Sequence, residues 1–292
     1  MTQLKVSKDN GQLLFDTNYI TYGLVKSGYM VFINAWTRKV LKSAQLDPND
    51  GNNWTLTTAS SSLNFADGMW GFTVTNAKSP IVFIVGSGTL NGTQVSGNNI
   101  TFFYSNASTT TKFYCFDLMG DSIAGSPYLK TYNTSGIITF NSLQPALNIV
   151  AAVQAPTPGV LDQFGRYTTV YTGGYNFKRQ NNQGQLVAQW ESRVDITLGA
   201  FEYAACLPWS RSCGISDMTE GNAFSHTMYS GSEGAYGYTG GVSFIMGASG
   251  GTTNTNPNTS GYASPGSFFN LPTDRYPVAL VIKTAGLPFP YN

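Results

Sequence analysis

A 22-residue segment occurs twice in this chain, and that duplication constrains the fold more than any other feature. Residues 4–25 read LKVSKDNGQLLFDTNYITYGLV and residues 129–150 read LKTYNTSGIITFNSLQPALNIV. They align without a gap at an offset of 125. Leu4/Leu129, Lys5/Lys130, Gly11/Gly136, Phe15/Phe140 and Val25/Val150 are identical, while Leu13/Ile138, Asp16/Asn141, Thr17/Ser142 and Leu24/Ile149 are close. A spaced internal similarity is the mark of a duplicated unit. Each copy reads as a β-hairpin. Leu4 and Val6 alternate, Asn10-Gly11 is a strong two-residue turn signal, and Leu13 and Phe15 alternate again. Gly136 sits at the matching place, after Asn133-Thr134-Ser135. The chain is therefore expected to hold two tandem modules that open with the same hairpin.

The rest of the chain also reads as β structure. Amphipathic runs with a period of 3.6 residues are missing, and the best helical stretch, residues 38–45, offers about two turns at most. Strands are expected at residues 29–34, 70–75, 81–85, 100–104 and 111–117 of the first half, separated by turns such as Asp67-Gly68 and Asn91-Gly92. In the second half they are expected at 167–171, 186–190, 194–198, 242–246 and 278–283. The expected fold is all-β, with two tandem β-sandwich-like modules. The N-terminal β module spans 1–118, a small-residue linker spans 119–127, and a C-terminal β module with long loops spans 128–292. Residues 210–238 and the Gly/Thr/Asn/Pro-rich stretch 247–266 read as its long loops. In the tail 286–292, Pro288 and Pro290 should hold the chain extended, leaving Phe289 and Tyr291 to dock on a neighbour.

Composition narrows the partners. Charged residues make up 11% of the chain and the net charge is +1, so no basic face is expected for nucleic acid or anionic membranes. No apolar run approaches the roughly 20 residues that span a bilayer, and the N-terminus lacks the basic and apolar regions of a secretory signal. Cys115, Cys206 and Cys213 make no disulfide framework. They read as buried thiols, with a Cys206–Cys213 bridge as the alternative, in a protein made in a reducing cytoplasm.

Candidate chemistry is sparse, and no cofactor or metal is expected. Gly120-Asp121-Ser122-Ile123 resembles the nucleophile block of GDSL-type esterases. That family's base is a His three residues after an Asp, and the single histidine, His226, has Ala223 there instead. Ser122 therefore reads as a turn residue. His226 with Cys206 and Cys213 fits no zinc spacing. Glu191, Asp195 and Glu202 are candidates for a glycosidase carboxylate pair, but Glu191 and Asp195 on one strand would stand roughly 13 Å apart. The more suggestive residues are aromatic. Trp209, Tyr229, Tyr236 and Tyr238 could form a surface that stacks on a sugar or packs into a protein groove, or they could fill the core.

The hairpin pattern Leu-Lys-Val, four residues, Gly, three residues, Phe-Asp is carried by residues 4–16 and again, with Thr131 and Asn141 as departures, by 129–141. It resembles the openings of tail-tip and minor tail proteins of tailed bacteriophages. The resemblance implies a structural virion protein of a tail tip, baseplate or fibre, made in the host cytoplasm and carried in the virion tail, without enzymatic activity. Its partners would be other tail proteins, further copies in a trimer or hexamer, and a bacterial surface glycan or protein receptor. A free-standing carbohydrate-binding module, a β-fold glycan depolymerase and a capsid decoration protein are the competing expectations.

Overall fold

The computed structural model describes residues 5–7, 9–11, 13–17, 19–41, 54–56, 67–121, 123–180, 186–218, 226–255 and 266–292. Among them every helix or strand element is a strand, so the fold is all-β. β1 (Lys5–Ser7) and β2 (Leu13–Asp16) form the first hairpin. They are followed by β3 (Tyr22–Tyr29), β4 (Val31–Trp36), β5 (Lys39–Leu41), β6 (Trp54–Leu56), β7 (Asp67–Thr75), β8 (Ile81–Val85), β9 (Thr89–Ser96), β10 (Asn99–Ser105) and β11 (Lys112–Leu118). The second hairpin is β12 (Lys130–Tyr132) and β13 (Ile138–Asn141). The chain continues through β14 (Ala151–Gln154), β15 (Tyr175–Gln180), β16 (Leu186–Cys206), β17 (Ser212–Met218), β18 (His226–Ala248), β19 (Thr253–Thr255), β20 (Ser267–Phe269) and β21 (Val278–Lys283).

The duplication is visible in the backbone. In the first hairpin Lys5 pairs with Asp16, Val6 with Phe15 and Ser7 with Leu13, with an irregularity between Val6 and Ser7. The second pairs Lys130 with Asn141, Thr131 with Phe140 and Tyr132 with Ile138, with the irregularity between Thr131 and Tyr132. Every pair and the bulge recur at the offset of 125. Gly11 and Gly136 both take positive φ, +80° and +74°, but the connection from Ser7 to Leu13, like that from Tyr132 to Ile138, is longer than the two-residue Asn10-Gly11 turn expected. A turn then closes each second strand in the same way. Tyr19 N–H donates to Asp16 O at 3.1 Å, and Gln144 N–H donates to Asn141 O at 3.0 Å. The copies also meet one another. Leu147 N–H donates to Tyr22 O at 2.9 Å and Gly23 bridges Ala146 antiparallel. Tyr22 and Leu147 are themselves equivalent positions in the alignment of the two copies.

Two sheets build the body. One has the order β4-β7-β10-β9; the other has thirteen strands and draws on both halves of the chain. β8 and β11 lie in the larger sheet and are buried on both faces. Val82, Ile84, Phe113 and Cys115 face Phe72, Phe102 and Tyr104 of the four-stranded sheet. Phe83, Val85, Tyr114 and Phe116 point the other way, against Leu24, Ala204 and Ile282. That alternation is the two-residue period of a strand covered twice. Each large side chain so buried contributes roughly 1.5–3 kcal/mol. A third core gathers Tyr171, Ile215, Phe244, Phe268 and Val281 from the second half.

The expected boundary at 119–127 does not separate two cores. Tyr236 and Ile245 of β18 pack into the cluster built on β8 and β11, and Ala205 of β16 pairs with Ile84. Met119 is buried, and Gly120 exchanges hydrogen bonds with Gln144 (2.9 Å) and Asn141 (2.8 Å). Small residues at 119–127 look like a linker in one dimension; in three, Met119 and Gly120 are held against the second hairpin while residues 124–126 are exposed.

Other expectations shift for similar reasons. The stretch chosen as the best helix holds β5, which pairs with β6 and β19 instead. Residues 167–171 make isolated bridges and bury Val170 and Tyr171 without becoming a strand. The strands expected at 186–190 and 194–198 are one, β16, irregular between Thr197 and Glu202. Much of the supposed loop 210–238 is the paired strands β17 and β18. The tail docks on its own chain. Tyr291 exchanges backbone bonds with Ser27 at 2.9 and 3.0 Å and donates its hydroxyl to Leu143 O at 2.6 Å. Phe289 meets the Tyr29 ring edge-on at 5.0 Å.

Candidate functional site

The four aromatic residues singled out in the sequence do not share a surface. Trp209 is exposed, in the turn between β16 and β17. Tyr238 is half-buried. Tyr229 and Tyr236 lie on β18 with 3% and 7% of their surface accessible, inside separate cores. As contact residues they are corrected to core residues. β18 pairs with β17 at Tyr229 and with β8 at Gly237, next to Tyr236, and each tyrosine packs into a core cluster there.

Those two tyrosines anchor buried polar networks instead. Tyr229 accepts the Trp190 N–H at 2.6 Å, and its hydroxyl lies 3.5 Å from Asp217. The Arg38 guanidinium stands 5.1 Å over the Tyr229 ring and grips Asp67 through two bonds of 2.6 Å. Tyr236 accepts from Arg193 at 3.0 Å, and Arg193 also donates to Glu191 at 3.0 Å. A third network joins Arg211 to Glu233 by two bonds of 2.8 Å, with the Tyr171 hydroxyl adding a third to Glu233 at 3.0 Å. Buried charges need such partners, because an isolated ion in an apolar interior is far costlier than one in water.

Asp217 is buried among these acids with Lys178, Tyr229 and Arg38 around it. Burial pushes its carboxyl up to about 6, against opposing pulls from Lys178, Tyr229 and Arg38. Lys178 forms an ion pair with Asp217 Oδ1 at 3.3 Å. A folded-state value above the unfolded one means that the native state binds the extra proton. This group's contribution is therefore most favourable below about pH 4 and is lost as pH rises through 6. From the usual 3.8 to about 6, that is about 3 kcal/mol. The stability of Asp217→Asn relative to the native chain is expected to rise by about that amount between pH 4 and pH 7. Urea unfolding of both proteins at a series of pH values measures the difference, and parallel curves would contradict it.

The remaining candidates are dispersed. Glu191 is fully buried beside Arg193. Asp195 accepts from Ser243 and, at 3.3 Å, from Tyr175. Glu202 pairs with Lys112 and accepts from Thr284, both at 2.7 Å. Burial works to raise the Glu202 value, but those two donors hold it below the usual carboxylate range. Each of the three acids thus has its own partners, and no hydrogen bond or ion pair described here joins two of them. His226 opens β18 opposite Met218. Ser122 lies outside the described residues. Among the described residues no three His, Cys, Asp or Glu side chains converge as a metal site. All three cysteines are free thiols; burial raises their values, Cys206 to about 12.

Two surface features stand out. One is a cavity of about 420 Å³ opening between the sheets, lined by Ile84, Leu90, Phe102, Tyr104, Leu207 and Trp209 among others. The other is the second hairpin, where Tyr128, Leu129, Tyr132 and Ile137 all expose about half or more of their surface. Trp209 was legible in the sequence but the cavity was not, because its walls come from five separated stretches of chain. No family model, curated protein or solved structure matches this chain.

Proposed function

We propose that the chain is a structural virion protein of a phage tail tip, baseplate or fibre, serving tail assembly and host-surface attachment. One observation carries the reading: the tail-like hairpin motif is present twice in the same register, and its second copy has an apolar outer face. Positions occupied by Gln3, Ser7 and Gln12 in the first copy become Tyr128, Tyr132 and Ile137 in the second. Duplication followed by replacement of polar residues with exposed aromatic and aliphatic ones is how a structural repeat acquires a contact surface. The low charge of the chain fits a protein held in a symmetric assembly rather than one kept apart by repulsion.

In this reading the second hairpin carries subunit or tail contacts, and no reaction is catalysed. Light scattering across a dilution series tests it. A stable trimer or hexamer is the expected mass, and replacing Tyr128 and Tyr132 together with serine should shift it toward monomer. A native protein that stays monomeric at every concentration would sink the proposal and turn attention to a free-standing glycan-binding module.

A further inference from the structure

The cavity beside Trp209 holds a buried hydroxyl that the protein leaves unanswered. Its walls are largely apolar. Phe102 and Tyr104 come from the four-stranded sheet, Ile84 and Ala205 from the larger one. Gly88 and Ala235 also line it, and residues this small leave the space unfilled. Leu90 and Trp209, each 44% exposed, stand at the mouth, whereas Tyr104 is 4% exposed and lies deep. The volume, about 420 Å³, falls in the range of roughly 300–1,000 Å³ that small-molecule sites occupy.

Tyr104 gives the cavity its chemistry. Among the described residues its hydroxyl has no hydrogen-bond partner, and protein atoms do not seal the oxygen off. A buried hydroxyl in that condition is costly and uncommon. The groups that bear on it electrostatically are the Cys206 and Cys115 thiols, and burial holds the phenol well above its ordinary value. The hydroxyl therefore stays protonated and is free to donate. Two other polar groups of the lining are engaged. The Cys206 sulfur bonds to the Val82 backbone, and the Glu233 carboxylate is held by Arg211 and Tyr171. A ligand carbonyl can accept from Tyr104 without bringing a donor of its own, which an alcohol or amine would leave in need of a partner. At the mouth, the Trp209 indole offers an aromatic surface for an apolar ring.

We propose that the cavity binds a flat, largely apolar small molecule through one carbonyl oxygen, which accepts a hydrogen bond from Tyr104 while Trp209 covers the outer end of the molecule. The inference rests on the cavity and on Tyr104, not on the tail reading, and the oligomer mass does not bear on it.

Fluorescence titration of the full chain with prodan, a naphthyl ketone whose emission reports polarity and hydrogen bonding at its carbonyl, tests the site. Saturable binding with a blue shift from the aqueous emission is expected. Tyr104→Phe removes the hydroxyl and keeps the ring. It should weaken prodan binding about three- to tenfold and move the bound emission further to the blue, because the carbonyl loses its donor. The alkene analogue of prodan, with a methylene in place of the carbonyl oxygen, should bind Tyr104→Phe no more weakly than the native chain. A merely structural role for the hydroxyl would weaken both ligands alike. Trp209→Ala, at an exposed position, should weaken prodan binding about tenfold without touching the core. Four results would overturn the proposal: prodan that does not saturate the chain, affinity and emission unchanged in Tyr104→Phe, an alkene analogue that loses as much as prodan, or no effect of Trp209→Ala.

Discussion

Replacing Arg211 with alanine is expected to destabilise the protein by about 3–5 kcal/mol, the usual cost of stranding one partner of a buried ion pair. Arg211 and Glu233 have side-chain exposures of 1% and 0%. Without the Arg211 side chain, the Glu233 carboxylate keeps only the Tyr171 hydroxyl and the residue-211 backbone N–H at 3.3 Å, and the Pro272 carbonyl loses a donor at 3.3 Å. The Arg211 guanidinium also stands 5.2 Å over the Tyr276 ring, a packing contact that alanine cannot replace. The loss is therefore mostly desolvation left uncompensated rather than the net worth of the pair. A second variant separates the two ideas. Arg211→Met combined with Glu233→Leu removes both charges, keeps most of the volume, and should recover most of the lost stability. Chemical unfolding of the three proteins measures this, and a double variant as unstable as Arg211→Ala would refute the desolvation account.

The second large effect concerns the two halves. Residues 1–118 and 128–292, produced separately, are each expected to lack a cooperative unfolding transition and to bind hydrophobic dyes. The first fragment would lose the cover that Ala204, Tyr236, Ile245 and Ile282 give to both faces of β8 and β11. It would also lose the tail strand on Ser27. The second fragment would leave the ends of β16 and β21 without Leu24, Phe83 and Phe116. Exposed area on that scale removes several buried aromatic and aliphatic side chains at roughly 1.5–3 kcal/mol each, comparable to the whole stability of a domain. The intact chain should unfold in one transition. Calorimetry and near-ultraviolet circular dichroism of the fragments decide the matter; an independently folded 1–118 would restore the two-module picture.

Gly237 shows why part of this was hidden. The Gly/Ser/Tyr mixture of residues 210–238 has the composition of a loop. Yet a Cβ placed on Gly237 would stand 1.8 Å from Tyr203 O, so glycine is there because β18 crosses the β16 backbone at that point. A side chain omitted for close approach and one omitted for flexibility look identical in sequence. The same ambiguity applies to Tyr229 and Tyr236, whose hydroxyls serve buried networks instead of a receptor surface. The cavity was invisible for a different reason, since Leu90, Phe102, Ala205 and Trp209 become neighbours only when two sheets stack.

Sequence alone determined the all-β character, through two-residue alternation and the turn residues between strands. It also determined that two similar hairpins occur with a positive-φ glycine in each connection, because those contacts lie a few residues apart; their register and bulge were not legible in it. Local chemistry is enough for those features because the interacting groups are close in the chain. Tertiary structure alone decided that the halves share their sheets, which tyrosines are buried, and where the cavity opens. Those outcomes depend on pairings such as Gly237 with Val85 and Ala205 with Ile84, more than a hundred residues apart. No local preference of one strand identifies the distant strand that will cover it.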